Sequence, residues 1–203
     1  MTITTPPLDV PELQRTRALD GIRALLELMG EDPDREGLVE TPERVVKAYL
    51  ELTGRPGDPV QLLGRTFTDV DYDPDSMIAV GPIEFTSLCE HHLMPFPGRA
   101  WVAYVPSGAR VVGLSKIPRL VEHYARRPQV QERLTAQIAT ALEEHLEPLG
   151  VGVVLSASHG CMGHRGVRKP GASMHTSALR GIFKTSPETR AEFLQLTRAG
   201  GGA

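Results

Sequence analysis

Apolar positions fall at helical spacing at both ends and in the middle of this chain, and at strand spacing between. From Pro11 onward Leu13, Ala18, Ile22, Leu25, Leu26 and Met29 follow a 3.6-residue period, and Gly30 predicts the stop. After a polar loop over residues 31–37, Thr41-Pro42-Glu43 predicts a second helix. Thr41 suits the N-cap and Pro42 the first helical position. Val45, Val46, Tyr49 and Leu50 form its apolar face, and Gly54 ends it. Residues 54–76, rich in Gly, Pro and Asp, predict an irregular connection. Strands are expected over 78–86 and 100–106, with Pro97-Gly98 in the connection between them.

A short run at 110–113 leads to Ser115, which suits the cap of a helix reaching about Arg126 before Pro128. Val130, Leu134, Ile138, Ala141, Leu142 and Leu146 make the most regular helical stripe. The run 151–158 predicts a largely buried strand that ends at His159, and a further strand is expected over roughly 173–183. Ser186-Pro187-Glu188 predicts a final helix with Phe193, Leu194 and Leu196 facing inward. Two helices, two strands, two helices, two strands and a last helix define an α+β class with mainly antiparallel strands. The expected organisation is a disordered 1–10, a helical extension over 11–75, a compact domain over 76–199 and a flexible tail at 200–203.

Composition narrows the function. A chain of 203 residues with 40% hydrophobic and 23% charged content is an ordinary globular length and balance. The net charge of −3 gives no general attraction to nucleic acid or an anionic membrane, and 5% aromatic residues weaken any base-stacking role. The sequence contains no apolar run long enough to span a bilayer. Its first residues lack the basic and apolar regions of a secretory signal, so the expected location is the cytoplasm. In that compartment a cysteine pair points to metal binding or catalysis rather than a disulfide.

The chain has two cysteines, and each lies close to histidines: Cys89-Glu90-His91-His92 and His159-Gly160-Cys161. Cys89 and His92 are three apart at an expected strand end, where a turn lets both reach one ion. Cys161 follows 72 positions later (161 − 89). Two Cys and one His suit Zn²⁺, and three protein ligands leave a fourth position for water. A structural site would instead close with His91 or His159, and two unrelated buried thiols remain the plain alternative. Imidazoles not used as ligands are suited to carrying protons near neutral pH, or to orienting the ligands.

Lys116, Arg119, Arg165, Arg168 and Lys169 fall near element starts and near the Cys/His segments, where convergence would hold an anion such as a phosphate chain. Glu132, beside Gln131, is either a solvated helix charge or a carboxylate that accepts two N–H donors from a guanine-like edge.

The segments Ser87 to Phe96, Gly113-Leu114-Ser115-Lys116, Arg127 to Thr135, and His159-Gly160-Cys161-Met162 with Arg165-Gly166 closely resemble GTP cyclohydrolase I. The likeness runs from about Thr41 to the last helix. It implies the tunnelling fold, a ββααββ antiparallel sheet with helices on one face, here with an N-terminal helical extension. It also implies assembly into a toroidal homodecamer with active sites between subunits. The implied reaction converts GTP and water to 7,8-dihydroneopterin triphosphate and formate, at the entry to folate or tetrahydropterin synthesis. A related cyclohydrolase with a different product, and a weakened paralogue that binds purine or pterin, are the alternatives.

By the same resemblance Cys89, His92 and Cys161 correspond to zinc ligands, and His91 and His159 to the proton-transfer histidines. Glu132 with Gln131 corresponds to the guanine-recognising pair. Lys116, Arg119 and Arg165 would hold the triphosphate, joined by Arg44 and Lys47, with Arg44 reaching a neighbouring subunit's site. Ser115 would sit at the ribose and phosphate end. Two departures stand out: Ala172 to Ser177 keeps only the end of the family's Ser-x-Thr-x-Thr-Ser pattern, and His164 precedes Arg165.

Overall fold

The computed structural model describes residues 11–54, 57–67, 73, 76–108 and 110–199. The expected disordered stretch 1–10 and the tail 200–203 lie outside the described residues. By its contacts the chain divides into two compact units at Gly54/Arg55.

The first unit pairs two helices, α1 (Glu12–Leu28) and α2 (Thr41–Thr53). Leu26 of α1 is buried, whereas Leu13, Leu25, Leu28 and Met29 stay exposed. Charges fasten the pair from outside: Arg15 bonds Glu43, and Arg23 donates to Asp34 at 2.7 Å. The N-cap position of α2 is Glu40 rather than the expected Thr41, which already lies inside the helix. Pro42 occupies the first turn, where its missing N–H costs nothing.

In the second unit, α3 (Pro59–Leu63) and β1 (Thr66–Phe67) precede β2 (Ile78–Cys89), β3 (Pro95–Val105) and β4 (Val111–Val112). Next come α4 (Lys116–Ala125), β5 (Pro128–Gln129), α5 (Gln131–Leu146) and β6 (Gly150–Ala157). The chain ends with α6 (Gly160–Gly163), β7 (Met174–Gly181), α7 (Ile182–Thr185) and α8 (Pro187–Ala199). The main sheet has the order β5-β2-β3-β6-β7, antiparallel throughout except for β5, which runs parallel to β2. A two-stranded sheet joins β1 to β4.

The helices α4 and α5 cover one face of the sheet. Ile117, Leu120, Val121 and Ala125 bury the inner side of α4, and Leu134, Ile138, Ala141 and Leu142 that of α5. Both sets follow i, i+3/i+4 spacing, so each helix places a single stripe against Ala100, Val102 and Tyr104 of β3 and Val151, Val153 and Leu155 of β6. Each fully buried Leu or Ile contributes about 1.5–3 kcal/mol relative to exposure. The intervening strand positions point the other way. Ala103 and Val105 pack on Phe183 and Phe193, so α7 and α8 lie on the second face. Helices therefore cover both faces, a correction to the expected one-sided arrangement. Ser186 caps α8 by accepting from the Thr189 N–H at 3.1 Å, and Phe193 is buried, but Leu196 stays 46% exposed instead of facing inward.

Pro97 and Gly98 lie inside β3, not in a connection. Pairing explains this. Pro95 faces Leu88 and Pro97 faces Thr86, while pairing with β6 starts only at Gly98 opposite Ala157. The prolines therefore occupy a stretch of β3 with one neighbour, where a missing N–H breaks no ladder. A Cβ on Gly98 would stand 2.7 Å from the Ala157 Cβ, Phe85 Cζ and Ser156 O. Glycine is what allows β3 and β6 to meet there. Ser158 N–H, donating to Pro97 O at 3.0 Å, carries this pairing to the edge of His159.

Candidate metal and active site

The loop after β2 is a closed turn. Cys89 N–H donates to Met94 O at 2.9 Å, while Leu93 and His92 N–H donate to Cys89 O at 2.7 and 3.2 Å. Leu93 adopts a left-handed φ of 53°, and that residue reverses the chain into β3. Cys89 and His92 are thereby placed side by side, with His92 Nδ1 3.8 Å from Cys89 Sγ. Two links brace the turn from outside. Glu90 N–H donates to Gln129 O of β5 at 3.0 Å, and Arg133 of α5 forks onto the Glu90 carboxylate at 2.5 and 3.2 Å. The fork holds the Glu90 carboxyl below the usual carboxylate range.

Cys161 arrives from the far side of the sheet order, on α6 just after β6. Its Sγ lies 3.8 Å from Cys89 Sγ, and both cysteines are free thiols. The ligating atoms of Cys89, His92 and Cys161 all lie within 4.8 Å of one another. Two thiolates about 2.3 Å from a tetrahedral ion stand about 3.8 Å apart, so the donor set fits such an ion. Burial, and then the neighbouring Cys89 thiol, pushes the Cys161 thiol upward in pKa, while Arg165 opposes this. A cation between the two sulfurs would offset the repulsion of two thiolates at this distance.

His91 is exposed, and its Nδ1 stands 3.9 Å from Cys89 Sγ. It belongs to the same turn but not to the three-atom group. Arg165 Nη1 lies 2.9 Å from His92 Nε2. The basic segment after Cys161 thus reaches the ligand set directly.

His159 is half-buried and held by two contacts. Its ring stacks on Phe96 with centroids 4.5 Å apart and planes 10° from parallel. Its Nε2 lies 2.9 Å from Gln131 Oε1. Burial depresses its pKa, and the Glu132 carboxylate pulls the other way. Glu132 itself is exposed in the first turn of α5.

The remaining expected residues stand apart. Ser115 occupies the N-cap position of α4, but its hydroxyl makes no capping bond. Lys116 and Arg119 sit three apart in the first turns of that helix. Among the described residues neither makes a hydrogen bond or ion pair with the Cys–His–Cys group. Arg44 and Lys47 lie on α2 of the first unit, paired with Glu40 and Glu51 respectively. Sequence reasoning alone did not single out Phe96 or Thr176. Both lie inside segments it quoted, but their roles depend on partners distant in sequence.

No helix among the described residues is long and apolar enough to cross a membrane. The family model for GTP cyclohydrolase I matches residues 18–198. A protein of Rhodopirellula baltica named GTP cyclohydrolase 1 is 52% identical over 186 residues, 91% of this chain and 80% of that protein. Its namesake from Leptospira biflexa serovar Patoc is 55% identical over 181 residues, covering 88% and 97%. That of Geobacillus kaustophilus is 49% identical over 191 residues, covering 94% of this chain and all of that protein.

Proposed function

The chain belongs to the GTP cyclohydrolase I family, and on that premise we propose that it converts GTP and water to 7,8-dihydroneopterin triphosphate and formate. The observation that carries this is the meeting of Cys89, His92 and Cys161 within 4.8 Å. A set of two thiols and one imidazole favours Zn²⁺ over hard cations such as Mg²⁺. Bound by three protein ligands, zinc supplies Lewis-acid activation of water near neutral pH.

The chain's own residues divide the remaining work. The purine must open at C8 and lose that carbon as formate, after which the opened sugar closes the new ring. Each stage moves protons to and from ring nitrogens and sugar oxygens. His159 and His91 are the carriers, and burial lowers the pKa of His159, which favours its neutral, proton-accepting form. Glu132, at the exposed start of α5, accepts the N–H donors of the guanine edge. Arg165, Lys116 and Arg119 neutralise the triphosphate, with Ser115 at its ribose end. Arg44 and Lys47 add charge from a neighbouring copy in a ring-shaped homodecamer of tunnelling-fold subunits.

The test measures formate, product mass and metal content on one sample of purified protein with GTP. Formate and a pterin triphosphate are expected with about one zinc per chain. Zinc-loaded protein that releases no formate overturns the proposal.

A further inference from the structure

We propose that Gln131 is a positioning residue for His159, which a one-way chain of hydrogen bonds holds in the tautomer with hydrogen on Nε2 and the lone pair on Nδ1. This deepens the proposed function, since it rests on His159 as a proton carrier.

Gln131 opens α5 and is 1% exposed. Its amide nitrogen faces Met174 O at 3.0 Å, Leu155 O at 3.3 Å and Thr176 Oγ1 at 3.1 Å. Carbonyl oxygens only accept, so only the NH₂ end of the amide can face them; the flipped amide would set oxygen against two oxygens. The carbonyls of β6 and β7 therefore decide which end of Gln131 meets the imidazole. That end is Oε1, which also only accepts, so the hydrogen in the 2.9 Å contact belongs to His159 Nε2.

The hydroxyls confirm the direction. Thr135 Oγ1 donates to Gln131 O at 2.8 Å, which spends its single hydrogen. In the 2.6 Å contact with Thr176, Thr135 must then accept and Thr176 donate. Thr176 Oγ1 is left as an acceptor for the Gln131 amide. The hydroxyl hydrogens of Thr135 and Thr176 and the His159 Nε2 hydrogen thus each have one place, while the two amide hydrogens of Gln131 are shared among three acceptors. Stacking on Phe96 fixes the ring plane, and the Gln131 bond fixes its rotation within that plane.

Two consequences follow. Proton traffic runs through Nδ1 alone, because the Nε2–H bond to Gln131 persists whether or not Nδ1 is protonated. With its amide hydrogens facing the sheet, the Gln131 side chain has no donor to offer a purine edge. The length of the chain of bonds also gives Thr176 a purpose within the divergent Ala172 to Ser177 segment.

The test is solid-state ¹⁵N NMR on histidine-labelled, metal-free protein without substrate, with His159→Ala to identify the signal. An Nε2–H signature for neutral His159 is expected, and an Nδ1–H signature overturns the proposal. Gln131→Met should convert that signature to a tautomer mixture. It should also lower kcat about 10- to 100-fold with KM within about threefold, a partial loss of proton-transfer catalysis. A tenfold rise in KM at unchanged kcat would make Gln131 a substrate contact and refute the assignment. Thr176→Val, which leaves the sheet carbonyls paired, should shift both readouts the same way by a smaller amount. It decides the matter if Gln131→Met does not fold. The wild-type NMR result stands even if the protein releases no formate, so the two proposals fail separately.

Discussion

Cys89 Sγ and Cys161 Sγ stand 3.8 Å apart although 72 residues separate them, too far for a disulfide and right for two thiolates sharing an ion. One thiol closes β2 and the other follows β6, and β3 lies between those strands. The fold therefore assembles the pair only when the antiparallel sheet is complete.

Cys161→Ser is expected to lose metal and turnover together, read by metal analysis and formate release. Because metal binding is linked to folding, chelation of the parent protein should lower its melting temperature, and the variant should show no further drop. Retention of full metal content by the variant would refute the shared site.

His159→Ala should behave differently. Its ring contacts Phe96 and Gln131, not the thiols, so metal content stays at the parent level while turnover falls about 10²- to 10⁴-fold. Parallel measurement of metal and kcat checks this. Departure of the metal would make His159 a ligand.

Gly98→Ala should destabilise the protein by about 1–3 kcal/mol, the usual cost of forcing a carbon into packed space. Its added Cβ would meet three atoms at 2.7 Å. Gly171→Ala, where nothing lies within 4 Å, is the matched control and should be near neutral. Denaturant melts of both variants decide it. Gly98→Ala should also reduce turnover, because β3 and β6 carry Phe96 and His159 to their meeting point.

Glu188, at the start of α8, has its carboxyl held below the usual range by backbone N–H and the Ser186 hydroxyl. A folded-state pKa below the unfolded one stabilises above the unfolded value of about 4.3 and is lost as pH falls through the folded value. Melting temperatures taken from pH 6 down to 3 should therefore fall more steeply for the parent than for Glu188→Gln. Equal slopes would remove Glu188 as a contributor.

Much of this was legible in the sequence, and the misses share a cause. The stripe Leu134, Ile138, Ala141, Leu142 specified α5, and the run before His159 specified β6, because burial on one stripe or both faces leaves a clear period. The turn joining Cys89 to His92 was visible from spacing. The strands β1, β4 and β5 have two residues each, too short to show any period. Pro97-Gly98 carried the signature of a turn, and only the late start of β6 pairing makes a strand of it. The engagement of Gln131 was hidden because its partners Leu155, Met174 and Thr176 lie 24 to 45 positions away. Leu196 follows the helical stripe of Phe193 but stays at the surface, since the inner side of α8 is filled by Phe193 against Phe183.

The closed turn from Cys89 to Met94 changes what a metal ion must accomplish on arrival. Its backbone is already bonded to itself, to β5 and, through Glu90, to α5. The conformational entropy of gathering Cys89 and His92 is thus charged to folding and not to binding. An incoming ion meets Cys89 and His92 in place, with Cys161 Sγ already 3.8 Å from Cys89 Sγ, so its binding has little further ordering to drive in the turn that bears two of the three ligands.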